Sequence, residues 1–143
     1  MPEAMNHLRV LVVEDDATTS LMTLAQLGQI PCSVSLVENG LMAVKAWIAA
    51  LRDGPFDLVL MDVNMPVMSG EKALQAIRRF ERDLGDIRTP IVAFSADAGD
   101  PERTDQERQW LTMGFDAVLP KPCDRERLLQ LVRQLTMQAA PTA

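Results

Sequence analysis

The stretch DLVLMD at residues 57–62 is an apolar run that ends in an aspartate. Three further runs share this design and end in polar residues: LRVLVVE at 8–14, IVAFS at 91–95 and DAVLPKP at 116–122. Apolar runs of this length are typical of strands buried on both faces of a parallel sheet. The carboxyl ends of such strands meet at one edge of the sheet, where open α/β folds bind their ligands. The polar residues brought to that edge are Glu14, Asp15, Asp62, Ser95 and Lys121.

Three carboxylates, a hydroxyl and an ammonium at one edge indicate a site for a metal ion and a phosphoryl group. A carboxylate such as Asp62 can attack phosphorus and form an acyl phosphate. Close carboxylates repel one another, and without a cation this repulsion raises the pKa of at least one of them. Mg²⁺ removes the conflict because it takes oxygen ligands and bridges to phosphoryl oxygens. We therefore expect Mg²⁺ as the cofactor.

Helix-like stretches alternate with the strand-like runs along the chain. Apolar spacing and turn residues predict helices over residues 17–27, 41–51, 71–82, 101–113 and 125–137. The one further strand is predicted at 33–37, and the third and fifth strands, which contain the runs above, are predicted to span 56–61 and 115–119. This (βα)₅ order predicts an α/β three-layer sandwich with a parallel sheet and right-handed crossovers.

The helices carry several specific expectations. Asp16 or Thr18 caps the first helix and Gly28 ends it, while Asp100 caps the fourth, with Pro101 at its first position. The inward stripe of the second helix is Leu41, Val44, Ile48 and Leu51, and that of the third is Ala73, Leu74, Ile77 and Phe80. Trp110 is expected in the core. If Met22 and Ala25 of the first helix face the core, Leu21 and Leu24 point outward near Asp62; otherwise both leucines are core residues.

The composition fits one soluble globular domain with a single core. Of 143 residues, 48% are apolar and 24% are charged, which is ordinary for such a domain. The net charge of −6 argues against binding to nucleic acid or directly to a membrane. No apolar stretch approaches the roughly 18 residues of a membrane span. We expect a cytoplasmic chain with a tail over residues 1–7, a domain over 8–137, and a tail or linker start over 138–143.

Four motifs in order resemble a receiver domain of the response regulators of two-component signalling. They are VEDD at 13–16, LMDVNMPVMSG at 60–70, PIVAFSA at 90–96 and LPKP at 119–122. The resemblance covers roughly residues 8–135, and PVMSGEKALQAIRRFE and TPIVAFSADA are most similar to receivers of hybrid sensor histidine kinases. It implies a flavodoxin-like fold with strand order 2-1-3-4-5. It also implies a domain of a two-component or phosphorelay system that switches conformation or passes the phosphoryl group on.

The resemblance also implies a role for each metal-site residue. Asp15 would be a direct Mg²⁺ ligand and Glu14 would act partly through water. Asp62 would be a third carboxylate ligand, and the backbone carbonyl of Asn64 would complete the protein's share. If the register of the acidic run lies one residue later, Asp15 and Asp16 are the pair.

The same resemblance assigns the phosphoryl chemistry. Asp62 would accept the phosphoryl group, Ser95 would bond one of its oxygens and Lys121 would neutralise another. The family commonly has a cis peptide at the position of Lys121-Pro122. The implied partner is a sensor histidine kinase or a histidine phosphotransfer domain, and the chain is expected to be a monomer or weak dimer. Such a domain catalyses its own phosphorylation and dephosphorylation and is otherwise not an enzyme.

One position departs from the family pattern. Three residues before the lysine the family usually has Tyr or Phe, which moves inward as a switch, but this chain has Val118. The usual coupling between the hydroxyl and an aromatic ring is therefore in question. Two rival functions remain: a phosphohydrolase of the haloacid-dehalogenase type, which expects a second Asp where Asn64 stands, and a pseudo-receiver that is never phosphorylated. Either a stand-alone receiver or a segment of a hybrid kinase fits the sequence.

Overall fold

The computed structural model describes residues 7–65, 67–85, 87–96, 98, 101–121 and 123–138, except the side chains of 103, 137 and 138. The strands are β1 Leu8–Val13, β2 Cys32–Val37, β3 Leu58–Asp62, β4 Ile91–Ser95 and β5 Ala117–Pro120. The helices are α1 Ala17–Leu27, α2 Gly40–Asp53, α3 Gly70–Leu84, α4 Thr104–Met113 and α5 Arg125–Gln138. A short 3₁₀ helix at Pro101–Arg103 precedes α4, where the sequence predicted a continuous helix. The expectations for Asp100 and for the Lys121-Pro122 bond lie outside the described residues, as do most of both tails.

The five strands form one parallel sheet in the order β2-β1-β3-β4-β5. This confirms the predicted flavodoxin-like α/β fold. Every residue of β3 and β4 is buried, as expected for central strands covered on both faces by helices. The predicted strand ends were one to two residues early for β3 and β5, because helix-to-strand connections contain apolar residues such as Phe56 and Phe115 that pack beside the sheet rather than within it.

Two apolar cores lie on the two faces of the sheet. On one face α2, α3 and α4 pack around Trp47, Leu74 and Trp110, which confirms Trp110 as a core residue. On the other face, Leu27 of α1 and Leu128 and Val132 of α5 cover β1, β3 and β4. Alternate residues of the strands supply the two cores, since successive side chains point to opposite faces.

The inward faces of three helices differ from the prediction. In α2, Leu41 and Ile48 are about two-fifths exposed, and the buried residues are Gly40, Ala43, Val44, Trp47 and Ala50. Nearly every position of this helix is apolar, so spacing alone did not identify its face; the large Trp47 ring sets it. In α3, Phe80 is 43% exposed and lies against the Trp47 ring, because Arg78 and Glu81 take the inward positions.

The first helix buries small and polar residues. Ser20, Thr23 and Leu27 face the sheet, and both Met22 and Ala25 are exposed, contrary to one alternative above. Leu21 is 68% exposed, contrary to the other alternative, and Leu24 is half-buried. Apolar spacing did not identify this inward face because two of its three buried residues, Ser20 and Thr23, carry hydroxyl groups.

A buried arginine ties elements together at the amino edge of the sheet. All five N–H groups of Arg78 have acceptors: Nε and one Nη2 hydrogen donate to the Gly114 carbonyl at 3.1 and 2.8 Å. Nη1 donates to Glu81 Oε1 and to the Thr89 carbonyl, both at 2.8 Å. The second Nη2 hydrogen donates to Asp116 Oδ2 at 2.8 Å. This arginine network joins α3 to the starts of β4 and β5.

Neighbouring groups complete the network. The Thr89 backbone N–H donates to Glu81 Oε2 at 2.6 Å, and its hydroxyl accepts the Trp47 indole N–H at 3.0 Å. Asp116 also accepts the Ile91 N–H and pairs with the exposed Arg88. Two arginines face two carboxylates, so the network is neutral and its buried groups are bonded.

Candidate functional site

The predicted site residues stand at the carboxyl ends of four adjacent strands. Glu14 follows β1, Asp62 ends β3, Ser95 ends β4 and Lys121 follows β5. Asp62 is in register with Phe94, and Ser95 with Pro120. The Ser95 carbonyl accepts the Lys121 N–H at 3.1 Å, which anchors the lysine backbone beside β4. The parallel register therefore places all four residues along one edge.

Three carboxylates converge at this edge. Oxygens of Glu14, Asp15 and Asp62 lie within 4.8 Å of one another. Glu14 and Asp62 are each only 3% exposed, whereas Asp15 faces solvent. Two buried charges and one exposed charge at this spacing form an acidic cluster with an open side.

One cation lies inside the cluster. The Lys121 ammonium is 2.9 Å from Glu14 Oε1 and 3.0 Å from Asp62 Oδ2. Burial acts to lower the pKa of Lys121, but the two carboxylates outweigh it and raise that pKa above its usual value. The lysine is therefore charged at neutral pH and links the two buried acids.

Glu14 is the strained member of the cluster. Burial, helped by the nearby Asp62 charge, raises the pKa of Glu14 above 4.5, although the Lys121 ammonium and the Asp16 N–H oppose the rise. The Asp16 N–H donates to Glu14 Oε2 at 3.1 Å. Glu14 Oε1 is buried and accepts no hydrogen bond of good geometry from the residues that the structure describes, so it contacts Lys121 as an ion pair. A buried carboxylate oxygen in this condition fits a cation ligand.

The charges of the cluster fit a divalent cation. The formal charges of three carboxylates and one ammonium leave a surplus of two negative charges within a few ångströms. Oxygen donors of this kind match the preference of Mg²⁺. The Asn64 N–H donates to Asp62 Oδ1 at 3.0 Å, which places Asn64 next to the cluster; the ligand role of its carbonyl stays a prediction.

Asp16 does not belong to the cluster. Its Oδ2 accepts the Thr19 N–H at 2.8 Å and the Thr19 hydroxyl at 2.7 Å, so it caps α1. These hydrogen bonds, with the side-chain bond first, lower the pKa of Asp16. The geometry therefore favours Glu14 and Asp15 as the acidic pair over Asp15 and Asp16.

The connection from β3 to α3 is shaped by backbone contacts. A methyl group on Gly70 would lie 2.3 Å from the Asp62 carbonyl oxygen, and one on Gly40 would lie 2.3 Å from the Met68 carbonyl oxygen. Gly40 is thus required by a loop that is distant in sequence. Val67 adopts a φ of 68°, which is strained for a β-branched residue. This loop is thus fitted tightly around Asp62.

Gly70→Ala is expected to destabilise the protein by about 1–3 kcal/mol, because the methyl group would overlap backbone atoms that cannot yield separately. Urea unfolding measures the change. Gly28→Ala is the matched control: Gly28 ends α1 at a φ of −62°, and a methyl group there would meet the Ala25 and Leu24 carbonyl oxygens at 3.3 and 3.6 Å, without overlap. Equal losses in the two variants would contradict the tight fit at Gly70.

Glu14→Gln is expected to stabilise the metal-free protein at neutral pH. The raised pKa of Glu14 means that its ionised form is less favourable in the folded chain than in the unfolded chain. The wild-type protein therefore loses stability relative to the variant as the pH rises from 4.5 through the folded-state pKa of Glu14. Mg²⁺ at 100 times its dissociation constant should stabilise the wild-type protein by about 2.7 kcal/mol, and the variant by less. Urea titrations with and without Mg²⁺ measure both effects. Glu38→Gln, at an exposed glutamate, is the control, and a less stable Glu14→Gln variant at neutral pH would contradict the prediction.

Val118 is half-buried and packs against the core that contains Trp110.

No described helix is both long enough and apolar enough to cross a membrane. The two cysteines are free and half-buried, and burial raises the pKa of both thiols. Cys123 therefore gives no sign of a reactive thiolate beside the site.

Comparisons with known proteins agree with this geometry. The family model of the response regulator receiver domain matches residues 10–133. The chain is 38% identical over 128 residues to the sensor protein GacS of Pseudomonas syringae pv. syringae, covering 90% of this chain and 13% of that protein. The chain therefore spans about one-eighth of the length of this relative.

Two solved structures are similar in fold and sequence. The receiver domain of the sensor histidine kinase PA1611 of Pseudomonas aeruginosa PAO1, solved with a magnesium ion in its active site cleft, has a TM-score of 0.74 and 28% identity. The match covers 91% of this chain and 98% of that one. A chain of the Saccharomyces cerevisiae complex between the phosphotransfer protein Ypd1 and the receiver domain of Ssk1 has a TM-score of 0.81 and 29% identity, covering 94% and 92%.

Proposed function

The chain belongs to the response regulator receiver domain family, and from that premise we propose that Asp62 accepts a phosphoryl group from a phosphohistidine. The observation that carries the proposal is the contact of Lys121 with Asp62 at 3.0 Å inside the carboxylate cluster. A nucleophile, a fixed cation and two further acids meet at the edge where open α/β folds bind ligands. Phosphoryl transfer needs this positioning and charge neutralisation more than it needs covalent help.

The contacts suggest a separate role for each residue. Asp62 Oδ1 is held by the Asn64 N–H, so the side chain is fixed before reaction. A carboxylate oxygen of Asp62 attacks phosphorus, the new P–O bond forms as the P–N bond to imidazole breaks, and the electron pair stays on the leaving nitrogen. Lys121 neutralises charge on the transferred group, and the Ser95 hydroxyl bonds one of its oxygens.

We place Mg²⁺ in this site as the cofactor. Glu14, Asp15 and Asp62 would hold it through carboxylate oxygens and Asn64 through its backbone carbonyl, with Glu14 acting partly through water. The surplus of two negative charges and the buried Glu14 Oε1 support this assignment. When bound, the ion supplies charge neutralisation for the phosphoryl oxygens.

The proposed donor is a sensor histidine kinase or a histidine phosphotransfer domain, and the chain acts in the cytoplasm as a monomer or weak dimer. Leu21 and Met22 are exposed on α1, and Met22, Gln26 and Cys123 line an apolar groove that reaches Lys121. An apolar helix face beside the reactive edge suits docking of a helical donor. The domain would then switch conformation or pass the group to a second histidine, either as a stand-alone protein or within a hybrid kinase. Neither nucleic acid nor a membrane is a proposed partner.

The chain is proposed to catalyse its own phosphorylation and dephosphorylation and no other reaction. A phosphohydrolase of the haloacid-dehalogenase type would need an acid where Asn64 stands. A pseudo-receiver would lack one of the acids or the lysine, and each is present. Sustained turnover of small phosphate esters would favour the hydrolase instead.

The test is covalent labelling with acetyl phosphate, with and without Mg²⁺, and with a phosphorylated histidine phosphotransfer protein as donor. We expect one phosphoryl group per chain, dependent on Mg²⁺, as an aspartyl phosphate. Borohydride should reduce its acyl carbon to the alcohol of homoserine at position 62 and release phosphate. Intact mass and peptide mapping measure the label. A label that is independent of Mg²⁺, or that maps to another residue, would overturn the proposal.

A further inference from the structure

The Trp110 side chain makes a hydrogen bond that core packing does not require. Its indole Nε1 donates to Glu71 Oε2 at 2.7 Å. Trp110 is a buried residue of α4, and Glu71 is half-buried in the first turn of α3. A charged acceptor makes this a charge-assisted bond, stronger than one between neutral groups. It joins two helices that lie on the same face of the sheet.

On the α3 side, this bond ends next to the proposed phosphoacceptor. Gly70 directly precedes Glu71, and its N–H donates to the Val63 carbonyl at 3.2 Å. The Gly70 Cα packs so closely on the Asp62 carbonyl that a methyl group would not fit. The first turn of α3 therefore cannot shift without moving the backbone around Asp62.

On the α4 side, the helix is held at one end. The Trp110 carbonyl accepts the Phe115 N–H at 3.1 Å, and the Gly114 carbonyl is bonded by Arg78 in the arginine network. These contacts fix the carboxyl end of α4, whereas the residues of its first turn, such as Thr104 and Asp105, are exposed. Trp110 is the seventh of the ten residues of α4, so its bond to Glu71 lies in the same carboxyl-terminal half of the helix. A shift of the first turn of α3 would therefore act on α4 through this residue.

We propose that the Trp110–Glu71 hydrogen bond is the link through which the phosphorylation state of Asp62 sets the position of α4. Val118 stands where the family usually has a Tyr or Phe that moves as a switch, and its side chain has no ring. In this chain the Trp110–Glu71 bond takes over the role of that ring. The inference rests on the proposed function, because it needs a phosphoryl group on Asp62. Two helices and one bond form a two-state element that phosphorylation biases.

The two tryptophans provide the measurement. In a ¹⁵N-labelled protein treated with acetyl phosphate and Mg²⁺, we expect the Trp110 indole resonance and the α4 amides to respond to labelling. The Trp47 indole, bonded to Thr89 at the opposite edge, is the internal control and should stay within its linewidth. Hydrogen exchange of α4 amides should change by about fivefold or more on labelling, the lower end of typical couplings between sites.

Glu71→Ala removes the acceptor and should reduce the exchange response of α4 below about twofold, with a labelling rate close to wild type. Glu126→Ala, at the exposed first-turn glutamate of α5, is the matched control and should respond as wild type. Trp110→Phe keeps the apolar volume, removes the donor, and serves if the first variant does not fold. If the Glu71→Ala variant is labelled and its α4 amides respond as in the wild-type protein, the inference is overturned and the proposed function stands. A wild-type chain that takes no label overturns the proposed function and this inference with it.

Discussion

Asp62→Asn is expected to reduce covalent labelling by acetyl phosphate and Mg²⁺ by about 1,000-fold or more, the scale on which loss of a nucleophile acts. Asparagine has the same shape, and its amide oxygen can still accept the Asn64 N–H that now bonds Asp62 Oδ1. The amide has no charge to attack phosphorus or to pair with Lys121 at 3.0 Å. The variant should therefore fold and yet take no label.

The controls for this variant separate chemistry from folding. Asp83→Asn changes an exposed aspartate on α3 in the same way and should be labelled at the wild-type rate. Circular dichroism and urea unfolding should show that Asp62→Asn is as folded as the wild-type protein. Stoichiometric labelling of Asp62→Asn at another residue would remove Asp62 from its assigned role.

Arg78→Met is expected to destabilise the protein by about 3–5 kcal/mol, the usual cost of removing one partner from a buried ion pair. Arg78 is 6% exposed and bonds Glu81, Asp116 and two backbone carbonyls. Methionine fills much of the volume, but it leaves the buried Glu81 carboxylate without its cation. Because typical domains are stable by only about 5–15 kcal/mol, this variant should unfold at a much lower urea concentration.

Arg79→Met provides the comparison within the same helix. Arg79 is exposed, so its replacement should change the free energy of unfolding by no more than about 0.5 kcal/mol. Urea unfolding followed by circular dichroism measures the difference in the free energy of unfolding. The dependence of that free energy on urea concentration should be equal in the two variants. An Arg78→Met variant as stable as Arg79→Met would show that the arginine network contributes little net stability.

The strand pattern and the site residues could be predicted because their signals are local. The run at residues 57–62 is apolar and ends in an acid, and the same local design recurs at three other strand ends. A parallel sheet then brings those ends together without further information. The acidic pair was predicted as Glu14 and Asp15, with Asp15 and Asp16 as the alternative. The cluster of Glu14 and Asp15 with Asp62, and the hydrogen bonds from Thr19 to Asp16, distinguish the two registers.

The features that were missed depend on contacts between distant residues. The inward face of α2 is set by Trp47, whose indole N–H donates a hydrogen bond to the hydroxyl of Thr89, 42 residues away. Phe80 is displaced outward because Arg78, a residue type normally at the surface, bonds acceptors just before two strands, on Thr89 and Asp116. Gly40 is required by the loop around Met68. Periodicity treats each helix alone, so none of these outcomes was accessible to it.

The order of the site residues along the chain also bears on how the protein is synthesised. Glu14 and Asp62 leave the ribosome 59 residues or more before Lys121, a delay of about 3–12 s at usual translation rates. Throughout that interval β1 and β3 can pair and bring two buried carboxylates together while the lysine that bridges them is still unmade. The lysine partner of the nascent acids arrives only with β5, which adds at the outer side of β4. The last strand to emerge thus supplies the cation that the two buried acids share.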